Sequence, residues 1–217
     1  IEYYTRWMNK WPTVKSLANE SYKNVLQAWM GLGYNRRAMY LHNTAKVIVD
    51  EFDNDVLNAV KHYEKLPGIG MYTSKAIQIF ADNADIATVD TNIRRIFINE
   101  FGLDESVSDN ELFTIAKQCL PKGKSRDWHN ALMDYGALHL TSRKTGIKPK
   151  TQQSRFQGSD RQIRGKILRL LLKEEQSAYQ LEEELNVESK RLSKILTKML
   201  EEETVSKTDE LYHVPQR

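Results

Sequence analysis

Apolar side chains recur along most of this chain with the three-and-four spacing of an amphipathic helix. In the segment 14–30, Leu17, Val25, Leu26 and Trp29 fall on one helical face, and the glycines of the following GLGY motif end the segment. No long segment alternates with period two, so the main body is predicted to be all-α. Its expected helices cover 14–30, 36–51, 55–65, 71–81, 90–101, 109–119 and 127–140.

The helical pattern stops near residue 141, where Lys, Pro, Gln, Ser and Gly become the dominant residue types. Between Thr141 and Gln157 the sequence has five cations and no acid. These cations are Arg143, Lys144, Lys148, Lys150 and Arg155. The segment 141–158 is therefore predicted to be a basic linker. Such a charge run is either solvated or in contact with phosphates, and the pattern alone does not separate the two.

Helical spacing resumes in the tail, with a strongly apolar segment at 159–173 followed by two shorter ones at 178–185 and 188–203. A two-stranded wing is expected at 204–214. Three helices and a β-hairpin in about 59 residues are typical of a winged-helix domain, here over 159–217.

The tail carries two acidic runs, Glu182–Glu184 and Glu201–Glu203. Negative charge disfavours a DNA-reading surface, so we expect the tail to pack on the main domain or on a partner. The predicted organisation is a helical domain over 1–140, the basic linker, and the winged-helix-like domain.

Composition narrows the class of protein. No stretch approaches the roughly eighteen uninterrupted apolar residues of a membrane span, so no membrane partner is expected. Cys119 is the single cysteine, which excludes a disulfide within the chain and indicates a reducing, cytoplasmic compartment. The five histidines show no metal-ligand spacing, and no metal is expected. The chain opens within a helical pattern and without Met, so we expect the natural protein to extend further on this side.

The segment LPGIGMYTSKAI, Leu66–Ile77, joins two predicted helices through a Pro-Gly-x-Gly turn. Gly68 and Gly70 can adopt positive φ and, because they lack Cβ, they let a phosphate approach the main chain. The N–H groups that open the following helix favour an anion. This pattern predicts a hairpin that holds DNA without reading its sequence. A plain helix–helix turn is the alternative.

The segment TVDTNIRRIF, Thr88–Phe97, places Asp90 at the start of another predicted helix. Asp is a preferred N-cap residue, and capping alone accounts for it. The alternative is a carboxylate that faces a pocket above the hairpin and stabilises an oxocarbenium-like sugar. Arg94 and Arg95 are expected either to pair with acids or to lie along DNA.

Together, LPGIGMYT and VDTNIRR resemble the hairpin and catalytic-aspartate signature of the endonuclease III/MutY superfamily of helix-hairpin-helix DNA glycosylases. WPTV at 11–14, VLQAWMGLGYNRRAMYLHNTAKVI at 25–48 and LMDYGAL at 132–138 resemble the MutY-type adenine glycosylase branch. RFQGSDRQIRGKIL at 155–168 is similar to the start of the C-terminal segment in some bacterial adenine glycosylases. The resemblance covers most of the chain.

The resemblance implies a monofunctional base-excision-repair N-glycosylase that flips a nucleotide out of duplex DNA and hydrolyses its sugar–base bond. The implied substrate is adenine opposite guanine or 8-oxoguanine. Asp90 takes the place of the catalytic aspartate. Tyr72 lines the pocket where bifunctional relatives carry a lysine, and Lys75 is not the matching position, so no efficient lyase step is expected. The alternatives are a T·G or U·G mismatch glycosylase and a hairpin module that only binds DNA.

The same resemblance implies the residues that contact DNA. Leu32 and Tyr34 match a loop that presses into the base stack, although a core aromatic remains the alternative for Tyr34; Arg36 and Arg37 are expected at phosphates. The expected partner is double-stranded DNA with a mispaired or damaged base, bound by a monomer. The expected DNA-binding set is Leu32, Gly33, Tyr34, Arg36, Pro67, Gly68, Ile69, Gly70, Tyr72, Thr73, Asn92, Arg143 and Lys144.

The chain departs from the family pattern at two places. Relatives usually close the domain with a cysteine-ligated iron–sulfur cluster just after the LMDYGAL segment, and Cys119 alone cannot supply four thiolates. The helices that carry a catalytic glutamate in MutY proteins have no counterpart before Ile1. We therefore expect no cofactor, and a chain that is N-terminally incomplete. The tail is too short for the extra domain that reads 8-oxoguanine in many MutY proteins.

Overall fold

A computed structural model describes residues 1–150 and 153–216 as two compact units. One unit combines Ile1–Asn54 with Ser154–Arg217, and the other is Asp55–Gln153. The sequence analysis expected domain boundaries at 140 and 158 instead. It relied on a change of residue types, which marks a connecting segment but does not show which helices pack together. Those domain limits stay a prediction.

The first part of the first unit contains four helices. They are α1 (Glu2–Lys10), α2 (Val14–Ala18), α3 (Tyr22–Trp29) and α4 (Arg36–Phe52). The single helix expected over 14–30 is wrong, because local caps interrupt it. Asn19 ends α2, and the Ser21 hydroxyl accepts from the backbone N–H of Asn24 to start α3.

The tail completes this unit with three helices and a small antiparallel sheet. Its elements are β1 (Gln176–Ser177), β2 (Ser206–Thr208), β3 (Leu211–His213), α11 (Asp160–Leu171), α12 (Ala178–Leu185) and α13 (Ser189–Glu201). The strand order is β1-β3-β2. The three helices and the wing are confirmed. Strand β1 was missed because two residues are too few to show alternation.

One hydrophobic core joins the tail to the first helices. Val25 and Leu26 of α3 belong to the same buried cluster as Ile167 of α11 and Leu196 and Met199 of α13. Each of these side chains is at most 1 % exposed. The expectation that the tail packs on the main body is confirmed for these helices.

The second unit is helical throughout its described part. Its helices are α5 (Val56–Ala59), a 3-10 helix (Val60–Lys65), α6 (Met71–Asp82), α7 (Thr91–Phe101), α8 (Asp109–Cys119), α9 (Ser125–Leu138) and α10 (Ser142–Thr145). Ile93, Ile96, Phe97, Leu112 and Ala116 form its buried cluster. Within the described ranges, no helix is long and apolar enough to cross a membrane.

Two sequence expectations about this unit were wrong. The segment 55–65 is not one α-helix, because His62 leaves helical geometry at φ −107° and ψ 46° and the chain tightens into a 3-10 turn. The basic segment is not free of helix, because the Thr141 hydroxyl caps a short helix that Gly146 ends in the left-handed conformation.

Because the tail shares its core with α3, we expect Leu196→Ala to destabilise the whole first unit. Removal of a fully buried leucine side chain costs about 2–5 kcal/mol of unfolding free energy. Leu211→Ala, at a side chain that is 40 % exposed, is the matched control and should cost less than about 1 kcal/mol. Urea denaturation followed by tryptophan fluorescence measures both. Equal losses for the two variants would contradict a shared core.

Candidate active site

A hairpin between the 3-10 helix and α6 presents backbone to solvent. Gly68 sits at φ +74°, a conformation that favours glycine, and both Gly68 and Gly70 are exposed. Gly70 is the N-cap residue of α6 at φ −94°, so it does not use the positive φ that glycine allows. A Cβ on Gly70 would meet nothing within 4 Å. The approach to the backbone at this point is therefore open.

The first turn of α6 is suited to an anion. Gly70 has no side chain with which to cap this turn, so the amides that open the helix point outward with the positive end of its dipole. Pro67, Ile69 and Thr73 are half-buried around this point. A phosphate placed here meets N–H groups without any reading of base sequence.

The hairpin is anchored from below by a buried hydroxyl. The Ser74 side chain is 3 % exposed and donates to the carbonyl oxygen of Val60 at 2.5 Å. This bond ties α6 to the 3-10 helix on the other side of the turn. The turn therefore has a fixed shape before any ligand binds.

Asp90 begins α7 and is half-buried. Its Oδ1 accepts from the backbone N–H of Ile93 at 2.7 Å, which confirms the capping role. Its Oδ2 has only a longer contact, 3.4 Å, from the side-chain amide of Asn92. Capping therefore fixes the carboxylate and leaves one oxygen less engaged than the other.

Tyr72 lies within electrostatic reach of this carboxylate. Burial and the charge of Asp90 both raise the pKa of the Tyr72 phenol above its usual value. The side chain is nevertheless 42 % exposed. The phenol therefore stays protonated at neutral pH and is partly open to solvent. Its role as a pocket residue stays a prediction.

The Lys75 side chain contacts α8. Its Nζ lies 4.1 Å from the centre of the Phe113 ring, a cation–π contact with α8. The ammonium group is thus engaged away from the first turn of α6. That Lys75 does not serve as the lysine of a bifunctional glycosylase stays a prediction.

Arg95 and Arg94 are each 7 % exposed and bind main-chain oxygens, and no ion pair with an acid is found for them among the described residues. Whether either lies along DNA stays a prediction. Arg95 donates to the carbonyl oxygens of Leu140 and Gly136 and, at 2.7 Å, to Oδ1 of Asn92. Asn92 in turn contacts Asp90. Arg95 therefore orients the neighbour of the carboxylate and joins α7 to the end of α9.

His129 holds the strand-like approach to Asp90 in place. The ring is fully buried; its Nε2 accepts from the backbone N–H of Thr88 at 3.1 Å, and its Nδ1 lies 2.7 Å from the carbonyl oxygen of Ser125. These bonds require the neutral ring with the proton on Nδ1. Burial lowers the pKa of His129, which keeps that form.

Sequence reasoning missed His129 and Arg95 as supports of the site. Histidine and arginine are usually polar surface residues. Only the contacts of His129 and Arg95 show that these two side chains are buried and bonded to the backbone. The one available signal was position, since Arg95 lies on the same turn of α7 as the core residues Ile96 and Phe97.

The expected stacking loop lies in the first unit. Leu32, Gly33, Tyr34 and Arg36 are exposed there, and Tyr34 is 52 % exposed with φ +49°. The alternative of a core aromatic at Tyr34 is therefore wrong. Arg36 is already paired with Glu202 at 3.7 Å. Their role in DNA binding stays a prediction.

The basic segment is partly engaged within its own unit. Lys144 donates to the carbonyl oxygen of Leu138 at 3.3 Å, and Lys150 pairs with Asp109 at 2.6 Å. Arg143 and Lys148 are exposed. Contact of Arg143 and Lys144 with DNA stays a prediction.

The residues after α9 do not fit a cysteine-ligated cluster. Cys119, the single cysteine of the sequence, is exposed, and among the described residues no group of three or more His, Cys, Asp or Glu side chains is arranged to hold a metal. The end of α9 is instead fixed by Arg95 and by the capped turn of α10. No chemistry of this site is assigned to a cluster.

Because His129 must stay neutral in the fold, the free energy of unfolding should decrease as the pH decreases. The folded pKa lies below the ordinary value of 6.5, so the unfolded chain binds the proton first and the stabilising contribution is lost as the pH falls below about 6.5. We expect His129→Asn to lessen this loss by up to about 1.4 kcal/mol per pH unit. Chemical denaturation at several pH values measures it. His62→Asn, at an exposed ring, is the control, and equal pH profiles for both variants would contradict the assignment.

Comparison with known proteins agrees with this geometry. The family model of the HhH-GPD superfamily base excision DNA repair protein matches residues 1–122. The adenine DNA glycosylase of Mycolicibacterium smegmatis is 35 % identical over an alignment of 188 residues that covers 77 % of this chain and 64 % of that protein. Human adenine DNA glycosylase is 34 % identical over 146 residues, covering 65 % of this chain and 27 % of that protein. The chain thus spans less than two thirds of the length of these relatives.

Solved structures give the same fold. A thermostable thymine-DNA glycosylase aligns with a TM-score of 0.58 at 26 % identity, over 69 % of each chain. An endonuclease III–DNA complex aligns with a TM-score of 0.57 at 19 % identity, over 69 % of this chain and 68 % of that one, and supports the fold alone. With a hairpin, an aspartate and a family match over more than half of its length, the chain belongs to the HhH-GPD superfamily of base excision DNA repair proteins.

Proposed function

We propose that this protein is a DNA N-glycosylase that removes adenine mispaired with guanine or 8-oxoguanine from double-stranded DNA. The observation that carries the proposal is the Asp90 carboxylate, fixed at the start of α7, whose charge reaches the Tyr72 phenol on the helix after the hairpin. The relatives named adenine DNA glycosylase support the choice of base.

The hairpin supplies the grip on DNA. Outward amides at the start of α6 and the exposed Gly68 and Gly70 hold a phosphate of the damaged strand. Enzymes that act on a base inside a duplex rotate the nucleotide out of the stack. Binding of the DNA backbone beside the flipped nucleotide places its deoxyribose against the Asp90 carboxylate.

Asp90 acts on the sugar. As the bond from C1′ to the base nitrogen breaks, its electron pair leaves with the base and positive charge develops on C1′ and the ring oxygen. Oδ1 of Asp90 is occupied by the Ile93 N–H, so Oδ2 is the oxygen that faces this charge. Water then attacks C1′ and loses a proton, which balances the proton that the departing nucleobase takes up, and the products are the free nucleobase and an abasic site.

Tyr72 supports the same carboxylate. Because its pKa is raised, the phenol is a hydrogen-bond donor at neutral pH, able to bind a carboxylate or a sugar oxygen. A phenol cannot form the Schiff base through which bifunctional relatives cut the strand. With Lys75 held over Phe113, base removal proceeds without an efficient lyase step.

A second candidate is removal of thymine or uracil opposite guanine. The structural match to a thermostable thymine-DNA glycosylase favours it, together with Tyr72, which suits that class. A pyrimidine is the better leaving group and needs less protonation than adenine. The two candidates share Asp90 and the hairpin and differ in the base pocket.

We expect Asp90→Asn to lower the single-turnover rate of base release by about 10²–10⁴-fold, because the amide cannot stabilise the developing positive charge. DNA affinity should be kept. The substrates are duplexes with A·8-oxoguanine, A·G, T·G or U·G, and alkali treatment reveals abasic sites. Release of adenine supports the first candidate, and release of only thymine or uracil supports the second.

The matched control is Asp85→Asn, which removes an exposed carboxylate from the same unit. Its release rate should equal that of the unaltered protein. Full activity in Asp90→Asn, or no release from any of the four duplexes by the full-length protein, would refute the glycosylase assignment.

The lyase prediction has a separate test. Borohydride reduction traps a covalent Schiff base between lysine and the abasic sugar, and we expect no trapped complex beyond background. A trapped complex that disappears in Lys75→Gln would overturn both the monofunctional assignment and the placement of the Lys75 ammonium over Phe113. Endonuclease III serves as the positive control for trapping.

A further inference from the structure

A cavity of about 680 Å³ lies in the first unit, between the loop before α4 and the tail. Its wall contains five arginines and one carboxylate, Glu202. The arginines are Arg36, Arg37, Arg161, Arg164 and Arg169. Three of these five come from α11, in the tail that the acidic runs had led us to expect away from DNA.

The charges in the wall do not cancel. Glu202 accepts a short hydrogen bond from Arg164 and lies 3.7 Å from Arg36. The bond from Arg164 is the main reason that the pKa of Glu202 is lowered, so the group is a carboxylate at neutral pH. One negative charge is set against five guanidinium groups, and the excess in the cavity is positive.

Aromatic rings are interleaved with these charges. The Arg161 guanidinium lies 5.8 Å from the centre of the Tyr34 ring and 5.9 Å from that of Phe156. It donates to the Tyr34 hydroxyl at 3.0 Å and to the carbonyl oxygen of Ser154 at 2.6 Å. Phe156 is 59 % exposed, so a large part of each ring is still turned to solvent.

The loop is braced in this shape. Tyr34 has φ +49°, which costs a non-glycine residue about 1 kcal/mol. The Trp29 indole donates to the carbonyl oxygen of Gly33 at 3.0 Å, and Arg37 donates to the same oxygen at 3.3 Å. Strain that neighbours hold in place, beside exposed aromatic rings, is typical of binding sites.

Gly165 adds an independent observation. It lies in the interior of α11 and in the cavity wall, where glycine weakens a helix relative to alanine. A Cβ here would come no closer than 3.9 Å to another atom, the Asn35 amide nitrogen, so packing within the protein does not require glycine. A ligand that closely approaches the helix backbone does require it.

We propose that this groove binds a stretch of the DNA backbone, so that the tail is a DNA-contacting element as well as a packing element. From the tail, Arg161 and Arg169 bind phosphates and the exposed ring of Phe156 stacks on a base or sugar. They lie beside Arg37 and Tyr34, for which the family resemblance already implies DNA contact. Guanidinium groups set among aromatic faces match a strand of nucleic acid better than an acidic peptide, which has no planar bases to stack. The proposal rests on the proposed function in that the ligand is DNA.

The first test removes charge from the groove. Arg161→Gln with Arg169→Gln should raise the Kd for a fluorescein-labelled duplex by about tenfold at about 0.1 M salt, and reduce the slope of log Kd against log salt by about 1–2. Lys166→Gln is the matched control, since it removes one charge from the exposed face of the same helix outside the cavity wall. It should leave both quantities unchanged. An unchanged slope in the double variant would overturn the proposal.

The second test uses a variant that we expect to fold, because a Cβ at Gly165 meets no atom closer than 3.9 Å. Gly165→Ala should raise Tm by roughly 2–4 °C through helix propensity and yet weaken DNA binding about three- to tenfold, because the methyl group obstructs the approach of the strand. DNA binding that is equal to or tighter than that of the unaltered protein would contradict close approach at α11. Polyglutamate should displace the labelled duplex less readily than unlabelled duplex does. If the two compete equally well, the groove binds acidic polymers in general and the assignment to DNA is overturned.

These outcomes separate the groove from the glycosylase assignment. A changed salt slope without base release from any mispair refutes the proposed function and leaves the groove standing. Base release with a salt slope that the arginine variants do not alter refutes the groove alone.

Discussion

The hydrogen bond from the Ile93 amide to Oδ1 of Asp90 is the interaction on which the site depends. A cap bond of this kind stabilises a helix by about 1 kcal/mol, a modest amount. Its larger consequence is geometric, because it fixes the carboxylate against the first turn of a helix whose other face is buried in the core. The catalytic group in our proposal is therefore positioned by a stabilising element of the fold.

Around that bond the structure arranges supports that are themselves buried. His129 holds the segment that precedes Asp90, and Arg95 holds Asn92 and the end of α9. Each uses side-chain donors or acceptors to bond main-chain groups of neighbouring segments. A carboxylate that must meet a reactive sugar at a defined distance needs this rigidity, since small misplacements are costly in rate.

The sequence was sufficient for the parts of the fold that depend on local pattern. Periodicity found α4, α6, α8 and the helices of the tail, and turn chemistry found the hairpin and the start of α7 at Asp90. It was insufficient where a cap between short helices or a contact far along the chain determines the structure. The break at Asn19–Ser21, the 3-10 turn after Ala59 and the burial of Arg94 and Arg95 depend on caps or on partners far along the chain.

Charge patterns were the least reliable guide. The acidic runs of the tail indicated a surface away from DNA, whereas arginines of α11 line the cationic groove. Counting charges along a segment averages over all faces of a helix, and binding depends on a single face. Likewise, two lysines of the basic segment after Thr141 already have partners within the protein. Lys144 donates to the carbonyl oxygen of Leu138, and Lys150 pairs with the carboxylate of Asp109.

The first unit is assembled from the two ends of the chain, with Asp55–Gln153 inserted between them. During synthesis, Val25 and Leu26 emerge more than a hundred residues before Ile167 and Leu196, which belong to the same buried cluster. Closure of so long a loop is slow, and apolar surface stays open meanwhile. The inserted unit, whose contacts are local, is free to fold first on the ribosome, and the outer unit depends on arrival of the tail. Nascent chains arrested before α11 should therefore be the ones that need chaperones.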